Sequence, residues 1–223
     1  MMVLQDVSVS LGKQAVIEKT SYNFNAKGLY VILGNNGSGK TTLLKTMCGI
    51  YKPNEGMVQY ENQNLHQLTN FDRSTLISFS DNPFPLPAFI NLVDYIKLGI
   101  GSQQEISGVL NDLEIGNLQA KPVIALSRGQ QQKAMLAKLF YQDNPVWLMD
   151  EPTNYLDYPS ILNFWEKVQK KAKEKLIICT IHNPEEAIKL NAQILMLKHK
   201  ALLPLGNNVS LSEIVGHLTE QGI

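Results

Sequence analysis

The chain has 223 residues, with 20 acidic and 20 basic side chains and a formal net charge of zero at pH 7. A chain of this length can bury one substantial core with room for an inserted subdomain. Balanced charge supplies no long-range attraction for nucleic acid or anionic lipid, so we expect no nucleic-acid partner. No apolar run reaches the roughly 20 residues of a membrane span, and the N-terminus lacks a signal-peptide pattern, which together predict a cytoplasmic chain.

The first segment in chain order is rich in β-favouring residues. Val3–Ser10 and Ala15–Phe24 flank Gly12 and Lys13, which predicts an antiparallel pair of strands. Short apolar runs follow, separated by helical or turn-rich stretches, at Leu29–Leu33, Ile77–Phe79, Val146–Met149, Leu176–Thr180 and Ile194–Leu197. Such runs are typical of strands buried on both faces, so we predict an α/β fold with a mainly parallel sheet core and an N-terminal antiparallel β subdomain.

The segment between the strands at residues 77 and 146 has helical character. Asn91 to about Gly116 has helix-like spacing, and Ser102 and Glu105 are spaced as a capping box. We therefore predict an inserted helical subdomain at about residues 83–142 of one domain, 1–223. N-cap patterns predict two further helices, which begin after Asn183 and Ser210.

The strand at Leu29–Leu33 is followed by the sequence Gly-Asn-Asn-Gly-Ser-Gly-Lys-Thr and then by a helix-forming run, Thr42–Met47. This is the G-x-x-x-x-G-K-T pattern of a P-loop, in which glycines let backbone N–H groups approach phosphate oxygens. Lys40 is expected to neutralise the β and γ phosphates, and the Thr41 hydroxyl to help hold Mg²⁺. The predicted phosphate contacts are Gly34, Asn35, Asn36, Gly37, Ser38, Gly39, Lys40, Thr41 and Thr42.

The apolar run Val146–Met149 ends in two adjacent carboxylates, Asp150 and Glu151. In a parallel sheet, ligands bind at the carboxyl ends of the strands. Because neighbouring strand residues point in opposite directions, we expect Asp150 to face Mg²⁺ and Glu151 to reach a water beyond the γ-phosphate. An Asp-Glu pair alone also often caps a helix, but its combination with a P-loop favours the metal and water roles.

Three further motifs complete a pattern. Leu126–Gln130 precedes a long helix that extends to about Tyr141, Pro152–Asp157 follows the acidic pair, and Thr180–His182 ends a buried strand. With these motifs in this order, the chain resembles the ATP-binding cassette (ABC) ATPase family, which are P-loop NTPases, over nearly its whole length. In the resemblance, the loop from Gly34 is Walker A, Leu126–Gln130 is the signature, and Asp150 with Glu151 is Walker B. Asp157 matches the loop that crosses to a partner subunit, and His182 matches the switch histidine.

The resemblance implies an ATPase that converts ATP and water to ADP and phosphate, with ATP and Mg²⁺ bound. It implies a head-to-tail dimer in which each ATP lies between one chain's P-loop and the other chain's signature residues. Those signature contacts are Ser127, Gly129 and Gln130. The implied catalytic residues are Lys40, Glu151, which polarises the attacking water, and His182, which bonds the γ-phosphate and orients that water.

The sequence departs from the family pattern at three places. Arg128 stands where the signature usually has glycine, so it either adds an anion partner or crowds the interface. Leu11 stands where an aromatic residue commonly stacks on adenine, so only apolar contact is expected there. Ser80-Asp81-Asn82 stands where a loop glutamine is expected, and either Asp81 or Asn82 is the candidate replacement.

The proline-interrupted segment Pro83–Phe89 is either a loop packed on the core or an apolar cleft for a short helix of a membrane subunit. We expect an ATPase subunit that drives a separate permease from the inner face of the cell membrane. Asn91–Gly99 is similar to the matching segment of importers for iron chelates, haem or cobalamin. Trp147 is instead similar to haem-exporter ATPases of cytochrome c assembly.

Two other classes within the same superfamily compete with transport. The run Asp150–Asp157 is similar to that of soluble translation- or ribosome-associated ATPases, but those usually carry two cassettes and a charged linker. A DNA-repair ATPase would need a long coiled-coil insertion, and no sustained heptad pattern occurs in the sequence. Transport is therefore the preferred hypothesis.

Overall fold

The computed structural model describes residues 1–81, 87, 89–98 and 105–219. Its strands are β1 (Met2–Leu11), β2 (Gln14–Phe24), β3 (Gly28–Leu33), β4 (Glu55–Tyr60), β5 (Gln63–Asn64), β6 (Ile77–Ser80), β7 (Val146–Asp150), β8 (Leu176–Thr180), β9 (Gln193–Lys198) and β10 (Ala201–Gly206). Its α-helices are α1 (Lys40–Met47), α2 (Asn70–Leu76), α3 (Leu92–Lys97), α4 (Ile106–Asp112), α5 (Arg128–Gln142), α6 (Tyr158–Lys171), α7 (Pro184–Lys189) and α8 (Leu211–Thr219).

Within the described residues, the main sheet has six strands in the order β10-β9-β3-β8-β7-β6. Strands β9, β3, β8, β7 and β6 run parallel, and β10 pairs antiparallel with β9 at the edge. All five predicted apolar runs are strands of this sheet, which confirms the mainly parallel core. Alternate residues of β3 belong to different hydrophobic clusters. Val31 packs on one face of the main sheet, and Ile32 packs on the opposite face. The hydrophobic core therefore lies on both faces of the sheet.

The second sheet is antiparallel, in the order β2-β1-β4-β5. The predicted hairpin is confirmed, since β1 pairs with β2 through Leu11 and Gln14 at its turn end. The apolar side of this sheet shares a core with one face of the main sheet, where the rings of Phe24 and Tyr30 lie 5.0 Å apart. This packing fixes the N-terminal sheet against the strand that leads into the P-loop.

Where the structure describes it, the predicted helical segment contains the α-helices α3, α4 and α5, whose buried apolar residues join one core cluster. Asn91 caps α3 by accepting a hydrogen bond from the Asp94 N–H at 2.8 Å. The predicted capping box at Ser102 lies outside the described residues, and Glu105 precedes α4 without a side-chain cap bond. The subdomain boundaries of about 83–142 stay a prediction.

Polar side chains begin the later helices. Asn183 accepts from the Glu185 N–H at 2.9 Å, and Ser210 exchanges bonds with Glu213, so both predicted helix starts are confirmed. Helix α8 packs on α7. Among the described residues, no helix is both long enough and apolar enough to cross a membrane.

The two cysteines are free thiols in apolar surroundings. Cys179 is fully buried in β8, and Cys48 packs partly buried beside the other core cluster. Burial raises the pKa of Cys48 to about 11 and raises the pKa of Cys179 as well. Both therefore stay protonated at neutral pH.

Candidate functional site

The loop between β3 and α1 is wedged against two other strands. A Cβ added to Gly39, whose φ is +105°, would lie 2.7 Å from the Cγ1 atom of Val16 in β2. A Cβ added to Gly34 would lie 2.7 Å from the Leu197 carbonyl oxygen in β9. Only glycine fits at both positions, so the backbone of the loop itself forms the cradle.

Lys40 begins α1 and points back into this loop. Its Nζ atom donates to the carbonyl oxygens of Gly34 at 2.8 Å and Asn35 at 3.1 Å. Burial lowers the pKa of Lys40, and the nearby charges of Glu151 and Asp150 raise it in part. An anion bound in the loop would act in the same direction as those carboxylates and favour the charged lysine.

One hydroxyl in the loop is buried without a partner. The Ser38 Oγ atom accepts and donates no hydrogen bond among the described residues. A buried polar atom left unpaired costs free energy, whereas a phosphate oxygen would satisfy it. Together with the two glycines that exclude any side chain, this hydroxyl shows that the loop fits a phosphate group.

Asp150, at the end of β7, receives hydrogen bonds from two threonines. The Thr41 hydroxyl donates to Oδ2 at 2.6 Å, and the Thr180 hydroxyl donates to Oδ1 at 2.6 Å. The structure therefore brings together the two predicted Mg²⁺ ligands, Thr41 and Asp150. Both offer hard oxygen donors of the kind that Mg²⁺ takes beside substrate phosphates. The described residues contain no cluster of three or more His, Cys, Asp or Glu side chains that could hold a metal.

Glu151 leaves the strand in a left-handed conformation, with φ of +50°. Its backbone N–H donates to the Thr180 Oγ1 at 2.9 Å, and its carboxylate Oε2 accepts from the Asn154 Nδ2 at 2.5 Å. The Nε2 atom of His182 contacts the other carboxylate oxygen. The predicted pair of Glu151 and His182 is thus in direct contact.

Sequence reasoning did not select Thr180 or Asn154 as functional residues. Thr180 is the register partner of Asp150 across β7 and β8, a pairing that the separate sequence runs do not reveal. Asn154 follows Glu151 by three positions. Asparagine is common in tight turns, so its place just after a candidate catalytic carboxylate could have identified Asn154 from the sequence.

The signature residues begin α5. The Ser127 Oγ accepts from the Gln130 N–H at 3.3 Å, and the Gln130 Oε1 accepts from the Ser127 N–H at 3.1 Å, which forms a capping box. A Cβ on Gly129 would lie 2.7 Å from the Tyr155 carbonyl oxygen. The Arg128 guanidinium lies 5.6 Å from the centre of the Tyr155 ring. The start of α5 therefore contacts the loop that follows Glu151.

Three other predicted residues lie at element ends. Leu11 ends β1 and is 46% exposed. Asp157 caps α6 by accepting from the Ser160 N–H at 2.9 Å, and its bonds to Ser160 lower the pKa of Asp157. Asp81 forms an ion pair of 2.8 Å with Lys45 of α1, and this bond raises the pKa of Lys45. Asn82, the other candidate for the sensor position, lies outside the described residues.

The sequence profile of the ABC transporter family matches residues 17–154. The chain belongs to the ABC transporter family. A relative from Paracoccus denitrificans (strain Pd 1222), named "Cytochrome c biogenesis ATP-binding export protein CcmA", is 32% identical over 165 residues, which cover 74% of this chain and 73% of the relative. The "Probable iron chelatin transport ATP-binding protein" of Helicobacter pylori (strain ATCC 700392 / 26695) is 27% identical over 214 residues, 89% of this chain and 84% of its own.

Solved structures agree with this family fold. "Structure of ATP binding subunit of ABC transporter" superposes with a TM-score of 0.87 at 20% identity and covers 99% of this chain and 100% of that chain. "Dimeric structure of a post-hydrolysis state of the ATP-binding cassette MJ0796 bound to ADP and Pi" superposes with a TM-score of 0.82 at 21% identity. It covers 94% of this chain and 100% of that chain. The predicted P-loop NTPase fold is confirmed, and the chain is an ABC cassette ATPase of a transporter.

Proposed function

We propose that this ABC cassette hydrolyses ATP with Glu151 as the general base, and that two copies close around ATP to drive a separate membrane permease. The observation that carries the proposal is the convergence of three strand ends. The P-loop after β3, the carboxylates after β7 and the Thr180–His182 segment after β8 meet through direct side-chain contacts. Ligands of parallel α/β sheets bind at this edge.

In the proposed reaction, a water oxygen attacks the γ-phosphorus, and its proton passes to the Glu151 carboxylate. The bond from the γ-phosphorus to the bridging oxygen breaks, and ADP leaves with that electron pair. The loop amides of Gly34–Thr42 and the Lys40 ammonium stabilise the phosphate charge. The imidazole of His182, in contact with Glu151, bonds the γ-phosphate and orients the water.

Thr41 and Asp150 would hold Mg²⁺, which when bound neutralises charge on the β and γ phosphates. The two side chains already share a hydrogen bond of 2.6 Å, so their oxygens face a common point. Thr180 holds the remaining oxygen of Asp150. The half-exposed Leu11 is proposed for apolar contact with adenine.

The second half of each nucleotide site is proposed to come from another copy of the chain. Ser127, Gly129 and Gln130 lie in or beside the first turn of α5, where the orientation of the backbone N–H groups and the helix dipole favour an anion. Arg128 adds a cation at the same place, and we assign it as an additional anion partner. Closure around two ATP molecules would store binding energy that hydrolysis releases.

The permease is proposed to dock a short helix in a cleft of about 210 Å³ between the main sheet and the helical segment. Apolar side chains from several elements line it together with polar ones, among them one acid and one lysine: Ile50, Phe79, Tyr95, Met135, Leu139, Asp81 and Lys138. Asp81 binds Lys45 of α1, the helix that starts at the P-loop, so an occupant of the cleft would be linked to the nucleotide site through this ion pair and α1. We accordingly propose that the chain lies on the cytoplasmic face of a membrane, held there by its permease.

Two cargo classes follow from the names of the relatives and from the similarity of Asn91–Gly99 and Trp147 to importer and exporter segments. One class is an iron chelate, and the other is haem for cytochrome c assembly. The two imply opposite directions of transport. In inside-out vesicles, whose cassettes face the medium, added ATP would drive release of the first cargo from the lumen or accumulation of the second within it.

Phosphate release by the purified full-length chain tests the ATPase proposal. Glu151→Gln should lower kcat by about 10²- to 10⁴-fold, the usual contribution of a general base, while ATP still binds. Glu166→Gln is the matched control, because Glu166 is an exposed carboxylate on α6 that forms an ion pair of 2.6 Å with Lys170. Hydrolysis by Glu151→Gln at the wild-type rate would contradict the proposal.

A further inference from the structure

The carboxylate of Glu151 is held from two sides. Asn154 donates to Oε2 at 2.5 Å, and His182 contacts Oε1. An ionised carboxylate only accepts hydrogen bonds, so only the amide nitrogen of Asn154 can face it. Each carboxylate oxygen can accept two bonds, which leaves one acceptor position on each oxygen for water. The two contacts therefore fix the orientation of the carboxylate and leave acceptor positions free for the attacking water.

The position of Asn154 is itself determined by the surrounding backbone. Its N–H donates to the Glu151 carbonyl oxygen at 3.2 Å, which closes a tight turn. The next residue, Tyr155, has a left-handed φ of +65°, and its carbonyl oxygen lies against Gly129 of α5. The turn therefore contacts Glu151 through Asn154 and contacts α5 through Tyr155.

A second contact anchors the same turn to α5. The Gln132 side chain is 1% exposed, and its Nε2 atom donates to the Pro152 carbonyl oxygen at 2.8 Å. Pro152 lies between Glu151 and Asn154, so a shift of α5 would move the backbone on which both side chains stand. Asn154 is then the side chain through which that shift reaches the carboxylate.

We propose that Asn154 is a positioning residue for ATP hydrolysis, which orients the Glu151 carboxylate and connects it to the signature helix α5. The inference rests on the proposed role of Glu151 as the base. Asn154 contacts neither the P-loop nor Asp150 through any of its observed hydrogen bonds, so it acts through Glu151. Its removal should slow the chemical step and leave nucleotide binding intact.

The first test compares kcat with the Kd for ATP in three variants of the full-length chain. Asn154→Ala should lower kcat by up to about 10²-fold, the effect of a misplaced reacting group, with Kd unchanged. Asn154→Asp keeps the shape but puts a second negative charge beside Glu151, so kcat should fall at least as far. Asn154→Gln keeps the amide donor and should recover part of the loss.

Asn163→Asp is the matched control. Asn163 lies on α6 and donates to the Asp112 carbonyl oxygen at 3.0 Å, away from Glu151, so the same chemical change there should leave kcat at the wild-type value. An unchanged kcat in Asn154→Ala and Asn154→Asp, or an equal loss in Asn163→Asp, would overturn the positioning role. If Asn154→Ala unfolds, the isosteric Asn154→Asp variant carries the comparison.

A double-mutant cycle separates this inference from the proposed function. If Asn154 acts through Glu151, then adding Asn154→Ala to Glu151→Gln should cause no further loss of single-turnover rate. A full additional loss in that background would contradict action through Glu151. A wild-type rate in Glu151→Gln alone would instead show that Glu151 is not the base. That result contradicts the proposed function, and it is obtained without any change at Asn154.

Discussion

Thr180 connects the two acidic residues of the site through one buried hydroxyl. It donates to Asp150 and accepts from the Glu151 N–H, and its side chain is fully buried. Removing this hydroxyl leaves the buried Asp150 oxygen without its partner, at a cost of about 1–3 kcal/mol, whereas the Glu151 N–H is only part-buried. Thr180 is therefore expected to contribute both to stability and to the geometry of the carboxylates.

Thr180→Val removes this hydroxyl at nearly constant volume. We expect the free energy of unfolding to fall by about 1–3 kcal/mol and kcat to fall as well, measured by urea denaturation and phosphate release. Thr46→Val is the control, since Thr46 is equally buried but donates only to the Thr42 carbonyl oxygen of its own helix. Equal effects of the two substitutions on kcat would show that Thr180 has no special role.

Gly39→Ala tests the shape of the phosphate cradle. The new Cβ would meet Val16 at 2.7 Å and would require φ near +105°, so the loop has to move away from β2. We expect ATP affinity to fall at least tenfold, which corresponds to about 1.4 kcal/mol, in a fluorescent-nucleotide titration. Gly206→Ala also replaces a glycine of positive φ, but in open space, and should leave that affinity unchanged. Wild-type affinity in Gly39→Ala would contradict the cradle.

The residues of the site differ in how far the sequence could predict them. The P-loop is local: its glycines, Lys40 and Thr41 follow one another, so their shared role is visible in a short pattern. Thr180 lies 29 residues from Glu151, and the bond between them depends on the register of β7 and β8. A sequence alone therefore reveals residues that act together within a short motif, but not side chains that meet through the pairing of distant strands.

At the scale of elements, the contact between α5 and the loop after β7 joins the signature to the Walker B strand. Gly129→Ala would place a Cβ 2.7 Å from the Tyr155 carbonyl oxygen and force the two apart. We expect ATP binding by the P-loop to persist while ATP-dependent pairing of two copies and kcat are reduced. Nucleotide titration and light scattering measure the two effects separately.

Gly108→Ala provides the control for this substitution. Gly108 lies within α4, and a Cβ there would meet no other atom within 4 Å. Alanine in place of glycine stabilises a helix by about 1 kcal/mol, so pairing and kcat should not fall. Normal pairing in Gly129→Ala would mean that the close approach of α5 to the loop is not needed for closure.

Strands with a continuous apolar run were predicted, and two elements that bury little of their sequence were not. Strands β3, β7 and β8 have nearly every residue buried, so their sequences are apolar apart from Asp150 and Thr180 at the strand ends. Helix α2 buries none of its residues, and β10 contains Pro204 and Gly206 and buries only Leu202, so neither has a burial pattern to detect. The strand order of the main sheet was likewise not derivable from the runs alone.

At the scale of the whole molecule, our account gives the cassette two half-sites, each of which contacts a different ATP molecule. The P-loop, Asp150 and Glu151 lie at the carboxyl edge of the main sheet, and the signature begins α5. Complete ATP sites in our account need two copies, because one copy's signature serves the nucleotide of the other. ATP would then hold the pair together, and hydrolysis would release it.

The measurement that tests this account most directly is size-exclusion chromatography with light scattering on Glu151→Gln, with and without ATP and Mg²⁺. Removing the base should block hydrolysis and keep the groups that bind ATP. The account predicts a monomer without nucleotide and a dimer with saturating ATP and Mg²⁺. A monomer under saturating ATP, with binding confirmed by titration, would contradict the claim that ATP joins two copies of this chain.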